Sequence, residues 1–263
     1  MKTINPWIPF LMLLRREIHR FIKVLVQTVI TPFISSFLYL MVFGITLGAN
    51  VEPQQGHSYL AFLIPGLCMM GLINNAFQNS SSSVTIGKFT GELEDLKVLP
   101  LNHHQIIWAM SLAAVVRGTL VALITYLVGS GFHYYQSGQL LGVANPGYLA
   151  FFVVAGGLLF GMLGISTAFW AKTFDQLSAV SAFVLLPLTY LGGVFISIDH
   201  LHPFWQGIAK LNPLLYLING VRYGVLGVSD VPMDSAMIIS AVGLVVFYKL
   251  ADHSLRSGSF GRW

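Results

Sequence analysis

The segment VLVQTVITPFISSFLYLMVFGITL, residues 24–47, contains no Asp, Glu, Lys or Arg. A helix needs about 20 mostly apolar residues to cross the hydrocarbon core of a bilayer, and this segment is long enough. Pro32 lies inside it and predicts a kink, because proline cannot donate the backbone hydrogen bond of a helix interior. We interpret residues 24–47 as a first membrane span.

Five further apolar stretches predict further spans, at about residues 59–79, 106–130, 147–171, 176–198 and 233–250. The composition agrees, since 55% of the residues are hydrophobic and only 9% are charged. Soluble domains carry about 25% charged residues. So few charges cannot cover a water-facing surface. The sequence therefore predicts an all-α membrane protein, with a six-span domain over residues 24–263 behind an N-terminal segment, residues 1–23.

The basic residues are distributed unevenly between the two sides of these spans. Eleven of the 14 Lys and Arg residues fall in the N-terminal segment, in the connections after the second and fourth predicted spans, and in the C-terminal tail. Cytoplasmic loops carry an excess of Lys and Arg. We expect both termini to be cytoplasmic in a multi-pass protein of the bacterial inner membrane, which lies in the lipid bilayer and binds no nucleic acid.

Two segments are amphipathic or apolar without fitting a span. Residues 6–23 mix apolar side chains with Arg15, Arg16, Glu17 and Arg20, which predicts an amphipathic helix at the cytoplasmic interface; an ordinary flanking anchor is the alternative. Residues 199–227, on the outer side, are too apolar for a free loop and are interrupted by prolines and glycines. Two short re-entrant helices packed against the bundle satisfy both properties.

A short cytoplasmic helix is predicted between the second and third spans. Leu93, Leu96 and Leu99 repeat at helical spacing, acidic residues occupy the other faces, and Pro100 ends the helix. Acids are unusual beside an anionic leaflet. They favour a protein partner with a basic cleft, and a solvated turn is the alternative.

Arg117 is a charged residue well inside a predicted span. A charge at the bilayer centre costs about 2.5–3.5 kcal/mol on insertion scales, so we expect Arg117 to face the bundle interior or a water-filled cavity. It is either a residue of a transport path or gate, or a structural arginine bound by carbonyl and hydroxyl groups. A polar run over residues 74–83 either lines a cytoplasmic cavity or is the frayed end of the second span.

Catalytic and metal-binding motifs are missing from the sequence. The nearest approach to a phosphate-binding loop is Gly87-Lys88, but Phe89 stands where Ser or Thr would bind magnesium. His200 and His202 could share a face, but no third ligand is nearby. We therefore expect no catalytic, cofactor-binding or metal-binding residues in this chain, and no enzyme activity of its own.

Several strings, in this order, resemble the type-2 ABC exporter permease family in its small bacterial half-permease form. The resemblance covers essentially the whole chain, and the Leu-Gly-Gly-Val-Phe string followed by Leu-Asn-Pro is fairly specific. The strings are YLAFLIPGL (59–67), VRG (116–118), FWAKTFD (169–175), LPLTYLGGVF (186–195), PFWQG (203–207), LNP (211–213) and RYG (222–224).

The resemblance implies a homodimeric permease that works with two copies of a separate ATPase, which would bind ATP and magnesium. It also implies that the helix after the second span is a coupling helix docked in the ATPase, and that the N-terminal helix is a connecting helix that touches it. The coupling residues would be Gly91, Glu92, Leu93, Glu94, Asp95 and Leu96, and the connecting residues Arg15, Arg16, Glu17 and Arg20.

The resemblance further implies alternating access, with outer helices closing the exit and the substrate path between the first, second and fifth spans of both copies. The apolar and aromatic residues predicted on the fifth span favour a lipid-linked, amphipathic or hydrophobic substrate over a bare ion. With the resemblance, we expect the export of an amphipathic, lipid-like, glycan or drug-like substrate. An ion-coupled secondary transporter is the alternative, although such proteins usually place an acid near the membrane midplane. The predicted path or gate residues are Arg117, Phe183, Leu186, Thr189 and Tyr190, and the predicted outer-gate residues are Phe204, Trp205, Asn212, Pro213 and Arg222.

Overall fold

A computed structural model describes residues 7–48 and 51–257, and this part of the chain is almost entirely helical. The α-helices are α1 (Trp7–Ile22), α2 (Leu25–Tyr39), α3 (Tyr59–Thr90), α4 (Glu92–Val98), α5 (His103–Ser137), α6 (Pro146–Trp170), α7 (Phe174–Val180), α8 (Leu186–Leu191), α9 (Pro203–Lys210), α10 (Pro213–Leu226) and α11 (Met233–Ser257). A π-helical stretch, Leu40–Leu47, continues α2, and a second one, Ser181–Leu185, joins α7 to α8.

Six segments are long and apolar enough to span a membrane, as the sequence predicted. They are Thr28–Leu47, Tyr59–Thr90, His103–Ser137, Pro146–Trp170, Phe174–Leu191 and Met233–Ser257. The helices of the second and third spans, α3 and α5, extend well beyond the predicted bounds of 59–79 and 106–130. The fifth ends at Leu191 rather than near Ile198, because Gly193 adopts a positive φ of 80° and the chain turns there.

Helices α3, α5 and α6 form the centre of the bundle. In the most apolar 18-residue part of α3, 78% of the residues are buried. In the same part of the first and fifth spans, only 22% and 17% are buried. Small residues let the central helices approach closely. A Cβ atom built on Gly164 of α6 would lie only 2.5 Å from the backbone oxygen of Phe77 in α3. A side chain at position 164 would therefore force the backbones of α3 and α6 apart.

This contact predicts that Gly164→Ala destabilises the bundle by about 1–3 kcal/mol, the typical cost of adding a carbon atom to a well-packed core. Gly131→Ala is the matched control, because Gly131 of α5 has open space around its Cβ position. That change should be neutral or slightly stabilising, since alanine is the better helix former. Thermal unfolding of both variants in detergent tests this; equal midpoints would contradict the close approach of α3 and α6.

The bundle has two ends, each with its own apolar cluster. At the end that carries α4, hereafter the α4 end, Leu93 and Leu96 pack with residues of α1, α3, α5, α6 and α11. At the opposite end, hereafter the α10 end, α10 packs on α3, α6 and α11. Helix α10 has only 14 residues, so its length of roughly 21 Å is too short to cross a bilayer. It is nevertheless mostly buried.

Capping residues define where these short helices begin. Asn212 precedes α10, and its Oδ1 accepts a hydrogen bond of 3.0 Å from the backbone N–H of Leu214. Its Nδ2 donates to the carbonyl oxygen of Leu188 in α8 at 2.6 Å. Pro213 occupies the first helical position, where a missing N–H costs nothing. Asn212 therefore starts α10 and ties it to the fifth span with one side chain.

Candidate functional site

A large cavity of about 910 Å³ lies between α2, α3, α5 and the fifth span. Its wall on α3 includes the polar residues Asn74, Asn75 and Gln78, while the facing spans contribute Thr31, Ser35 and Ser178. The polar run of the second span therefore lines a cavity rather than forming a frayed end, since α3 continues as a regular helix to Thr90. The remaining wall is largely apolar, so a molecule in this space would meet both kinds of surface.

Two arginines, Arg20 and Arg117, line this cavity. Arg20 has fixed partners, which are described below. The Nε atom of Arg117 is buried without a hydrogen-bond partner among the described residues, and no carboxylate in the described ranges forms an ion pair with Arg117. Arg117 therefore lies at the wall of a cavity, as expected for a charged residue inside a span.

An aromatic cluster lies beside the cavity towards the α10 end. Tyr39, which also lines the cavity, has its ring centroid 6.1 Å from that of Phe195. Phe43 and Tyr190 each lie 5.2 Å from Phe195, and the Tyr190 ring stacks on it. A buried hydrogen bond of 2.8 Å between Ser36 and Thr125 joins α2 to α5 at the same level. These contacts close this side of the cavity within one chain.

The other predicted path residues lie in different surroundings. Leu186 lines the cavity together with Arg117. Thr189 is buried and its hydroxyl donates to the carbonyl oxygen of Leu185, one turn earlier. Phe183 is 80% exposed on the outer surface of the fifth span. Only two of the five predicted residues, Arg117 and Leu186, therefore line the cavity. Phe183 belongs to the π-helical stretch Ser181–Leu185, in which residues three positions apart do not share a face as they do in an α-helix.

Helix α4 presents an acidic surface and is anchored by leucines. Glu92, Glu94 and Asp95 are exposed, while Leu93 and Leu96 are buried in the cluster at the α4 end. Gly91 ends α3 with a left-handed φ of 87°, which lets the chain turn directly into α4. The short acidic helix predicted from the sequence is therefore present, and its carboxylates point away from the bundle.

Lys88 fixes the end of α3 beside α4. Its side chain is buried, and Nζ donates to the carbonyl oxygens of Ala168 and Phe169 at 2.8 and 3.1 Å. These carbonyls belong to the last turn of α6, where a cation is favoured by the helix dipole. The sequence predicts Lys88 as a basic residue of the cytoplasmic loop after the second span, whereas the structure buries it within the last turns of α3. Its structural role could not be read from the sequence, because the partner carbonyls carry no sequence signal.

The N-terminal helix α1 docks on the polar end of α3 through Glu17 and Arg20. Glu17 is buried and accepts hydrogen bonds from Arg16, Arg20 and Ser83 at 3.0, 3.3 and 2.7 Å. Arg20 also donates to Asn79 and Ser82 of α3. Leu13, Glu17 and Phe21 form the buried stripe of α1, whereas Arg15 and Arg16 are exposed.

A buried ion pair organises the α10 end. Arg222 of α10 and Asp230, in the connection before α11, lie 3.5 Å apart with both side chains fully buried. The guanidinium group also donates to the carbonyl oxygen of Gly193 at 2.7 Å and lies 3.7 Å from the ring centroid of Phe62 in α3. Burial lowers the pKa of Arg222 to about 10, a shift that Asp230 opposes, so the side chain is charged at neutral pH.

Asp230 connects three segments that are distant in sequence. Its carboxylate accepts hydrogen bonds from the side chain of Ser197 at 2.6 Å, from the backbone N–H of Ile198 at 3.5 Å, and from Gln55. Sequence reasoning identified Arg222 but missed Asp230. The available signal was an acid only eight residues after Arg222, just beyond the apolar outer segment of residues 199–227.

The other predicted outer-gate residues do not form one group with Arg222. Phe204 and Trp205 lie on the exposed surface of α9, with their rings packed edge to face. Asn212 and Pro213 begin α10, as described above. Arg222 is the one member of this predicted set whose side chain joins α10 to α3 and to the turn after the fifth span.

Comparison with known proteins assigns the family of this bundle. The sequence profile of the ABC-2 type transporter family matches residues 9–226, which include most of α1, α4, the cavity and α10. The chain belongs to the ABC-2 type transporter family. Membership of this family implies partnership with an ATP-binding subunit, and it confirms the resemblance that the sequence motifs indicated.

Individual ABC-2 relatives extend the match to most of the chain. The inner membrane transport permease YadH of Escherichia coli K12 is 38% identical over 252 residues, which covers 96% of each chain. Nodulation protein J of Azorhizobium caulinodans is 24% identical over 209 residues, covering 74% of this chain and 75% of that protein. The predicted likeness to half-permeases of the YadH type is confirmed. With its six apolar helices, this ABC-2 protein is a multi-pass inner-membrane permease.

Proposed function

We propose that this chain is the permease subunit of an ATP-driven exporter, in which a separate ATPase moves the walls of the cavity through α4. The observation that supports this most directly is the continuity of α3. Its middle forms the polar wall of the cavity, and its end turns at Gly91 into the acidic helix α4. A displacement of α4 is therefore transmitted to the cavity along one unbroken helix.

The attachment of α4 suits it to transmit force. Leu93 and Leu96 bury one side of it in the apolar cluster, and Lys88 holds the adjoining turn of α3 to the end of α6. Its exposed side carries Glu92, Glu94 and Asp95, which suit a basic cleft on the ATPase. In this proposal the α4 end is cytoplasmic, and α1 is a connecting helix at the interface that touches the same partner.

The cavity suits an alternating-access path shared by two copies of the chain. The first and fifth spans, which form its outer wall, are poorly buried within one chain and expose large apolar residues such as Phe33 and Phe183. A second copy would cover them and complete the path. The aromatic cluster around Phe195 would then separate, together with α9 and α10, when the path opens outward.

The proposed dependence on an ATPase predicts the behaviour of a double charge reversal, Glu92→Lys/Glu94→Lys. We expect the wild-type chain, purified from its native membrane in mild detergent, to retain an ABC-type ATPase with a phosphate-binding loop. The variant should insert in the membrane normally but lose this subunit, because two cations would face the basic cleft. Quantifying the co-purified ATPase against the permease measures the effect.

The matched control is Glu52→Lys/Asp199→Lys, which reverses two exposed acids at the α10 end. This control should retain the ATPase. If the Glu92→Lys/Glu94→Lys variant retained the ATPase, the acidic surface of α4 would not be part of the interface with it.

The ion-coupled alternative predicts uphill transport by the permease alone. The acids of the six spans lie near the helix ends, at Asp175, Asp234 and Asp252, rather than near a midplane where an ion-coupling carboxylate would be expected. Uphill transport by proteoliposomes that contain only this chain and an ion gradient would overturn the ATP-driven proposal.

A further inference from the structure

We propose that the molecule carried through the cavity is an anionic amphiphile, and that Arg117 binds its phosphate or carboxylate group. This inference deepens the proposed function by naming the class of substrate. It depends on the proposed function only in treating the cavity as the path.

The positive charge of the cavity wall favours an anionic ligand. The described lining residues include Arg20 and Arg117 and no acidic residue. Glu17 neutralises Arg20 from the side of α1, with Arg20 Nε and Glu17 Oε2 3.3 Å apart. Arg117 has no corresponding carboxylate in the described part of the chain. Glu17 is shared with Arg16, so the cavity has at least one uncompensated positive charge, which a ligand anion would balance.

The position of Arg117 suits a ligand inside the cavity rather than at its rim. The Cβ position of Gly71 in α3 lies 3.1 Å from Val121 of α5, so these two residues face each other. The two helices run in opposite directions, and one turn towards the α4 end brings Asn75 opposite Arg117. Both residues line the same cavity. The Nδ2 atom of Asn75 donates to the carbonyl oxygen of Gly71.

The rest of the lining favours an amphiphile over a free ion. Apolar side chains form much of the same wall: Val24, Pro32, Leu67, Met70, Phe77, Ile86, Val121, Leu177 and Leu186. At about 910 Å³ the cavity is at the upper end of the range for small-molecule sites. A hydrocarbon chain would lie on this apolar surface while the anionic group reaches Arg117. A compact hydrophilic ion would leave most of this apolar surface in contact with water.

Protection of a cysteine inside the cavity provides the test. The reporter is Gln78→Cys, since Gln78 lines the cavity and is exposed to it, in a Cys68→Ala background that removes the native thiol. The full chain is placed in nanodiscs of neutral lipid, and the rate of labelling by a methanethiosulfonate reagent is measured. The added probes are dodecyl phosphate, the neutral dodecyl glycerol ether and inorganic phosphate. A fourth sample replaces part of the nanodisc lipid with phosphatidate.

We expect Arg117→Gln to need at least a roughly tenfold higher concentration of dodecyl phosphate than the parent chain for the same protection of the cysteine. The variant lacks one charge-assisted hydrogen bond. Arg117→Lys should retain part of the protection, since it keeps the charge. Arg15→Gln is the matched control, because Arg15 is exposed on α1 and lines no cavity. It should behave as the parent chain. Protection by phosphatidate would identify the bilayer as a source of the anion.

Equal protection by the neutral glycerol ether, or protection that is unchanged in both Arg117 variants, would overturn the proposal. If inorganic phosphate protected the cysteine at the same concentration as dodecyl phosphate, the ligand would not need an apolar chain, and the proposal of an amphiphile would be wrong. Arg117→Lys preserves the test if Arg117→Gln does not fold. The measurement uses no ATPase, so its failure is distinct from a failure of the α4 interface.

Discussion

Replacing Asp230 with alanine is expected to destabilise the protein by about 3–5 kcal/mol, because removal of one partner leaves Arg222 charged and buried. The same change removes the acceptor for Ser197 and Ile198. In a chain of this size such a loss corresponds to a decrease of roughly 10 °C in the unfolding midpoint. Thermal unfolding followed by size-exclusion chromatography in detergent measures it.

Two further variants sharpen this result. Asp199→Ala, an exposed acid in the same region, should leave the midpoint nearly unchanged. The double variant Asp230→Ala/Arg222→Met should lose less stability than the sum of its single changes, since no unpaired buried charge remains. A midpoint for Asp230→Ala equal to that of Asp199→Ala would show that the ion pair does not hold the α10 end together.

Replacing Glu17 with alanine is expected to release α1 from the bundle. Glu17 accepts hydrogen bonds from Arg16, Arg20 and Ser83, and bonds to charged groups contribute about 1.5–3 kcal/mol each. Arg16 and Arg20 are partly exposed to solvent, so we expect a net loss of about 2 kcal/mol in the docking of α1. This corresponds to a roughly 30-fold increase in the population of the undocked helix.

Trypsin provides the measurement, since α1 contains Arg15, Arg16 and Arg20. Cleavage of the native protein at these sites should be about 30-fold faster in Glu17→Ala when opening and closing of the helix are rapid. The matched control is Glu92→Ala, an exposed glutamate of α4, which should be cleaved within α1 at the parent rate. Equal rates for both variants would mean that α1 is held by its apolar stripe alone.

The sequence predicted the number of spans and the short helices because each has a local signal. Charge-free stretches mark the spans, the spacing of Leu93 and Leu96 marks α4, and prolines mark the starts of α9 and α10. Each signal depends on residues close together in the chain. Hydrophobic length and turn residues are properties of a single segment, so no knowledge of packing was needed.

The contacts between segments were not predictable in the same way. The pair of Arg222 and Asp230 depends on a turn at Gly193, and the role of Lys88 depends on carbonyl groups of α6. Residues on the fifth span were assigned to the path as if it were one regular α-helix. Phe183 lies inside the π-helical stretch Ser181–Leu185, whose wider turns place it on a different face from Leu186, three residues later; Leu186 lines the cavity and Phe183 does not.

The two sides of the cavity contribute unequally to the stability of the fold. Its wall on α3 is part of the most buried helix, whereas its wall on the first and fifth spans is poorly packed within the chain. Substitutions at Thr31, Ser35 or Ser178 should therefore alter what the cavity accepts while leaving the fold intact. If the cavity is the proposed transport path, a lineage could diversify its substrates by changing this side alone, with Arg117 of α5 retained as the proposed binding residue.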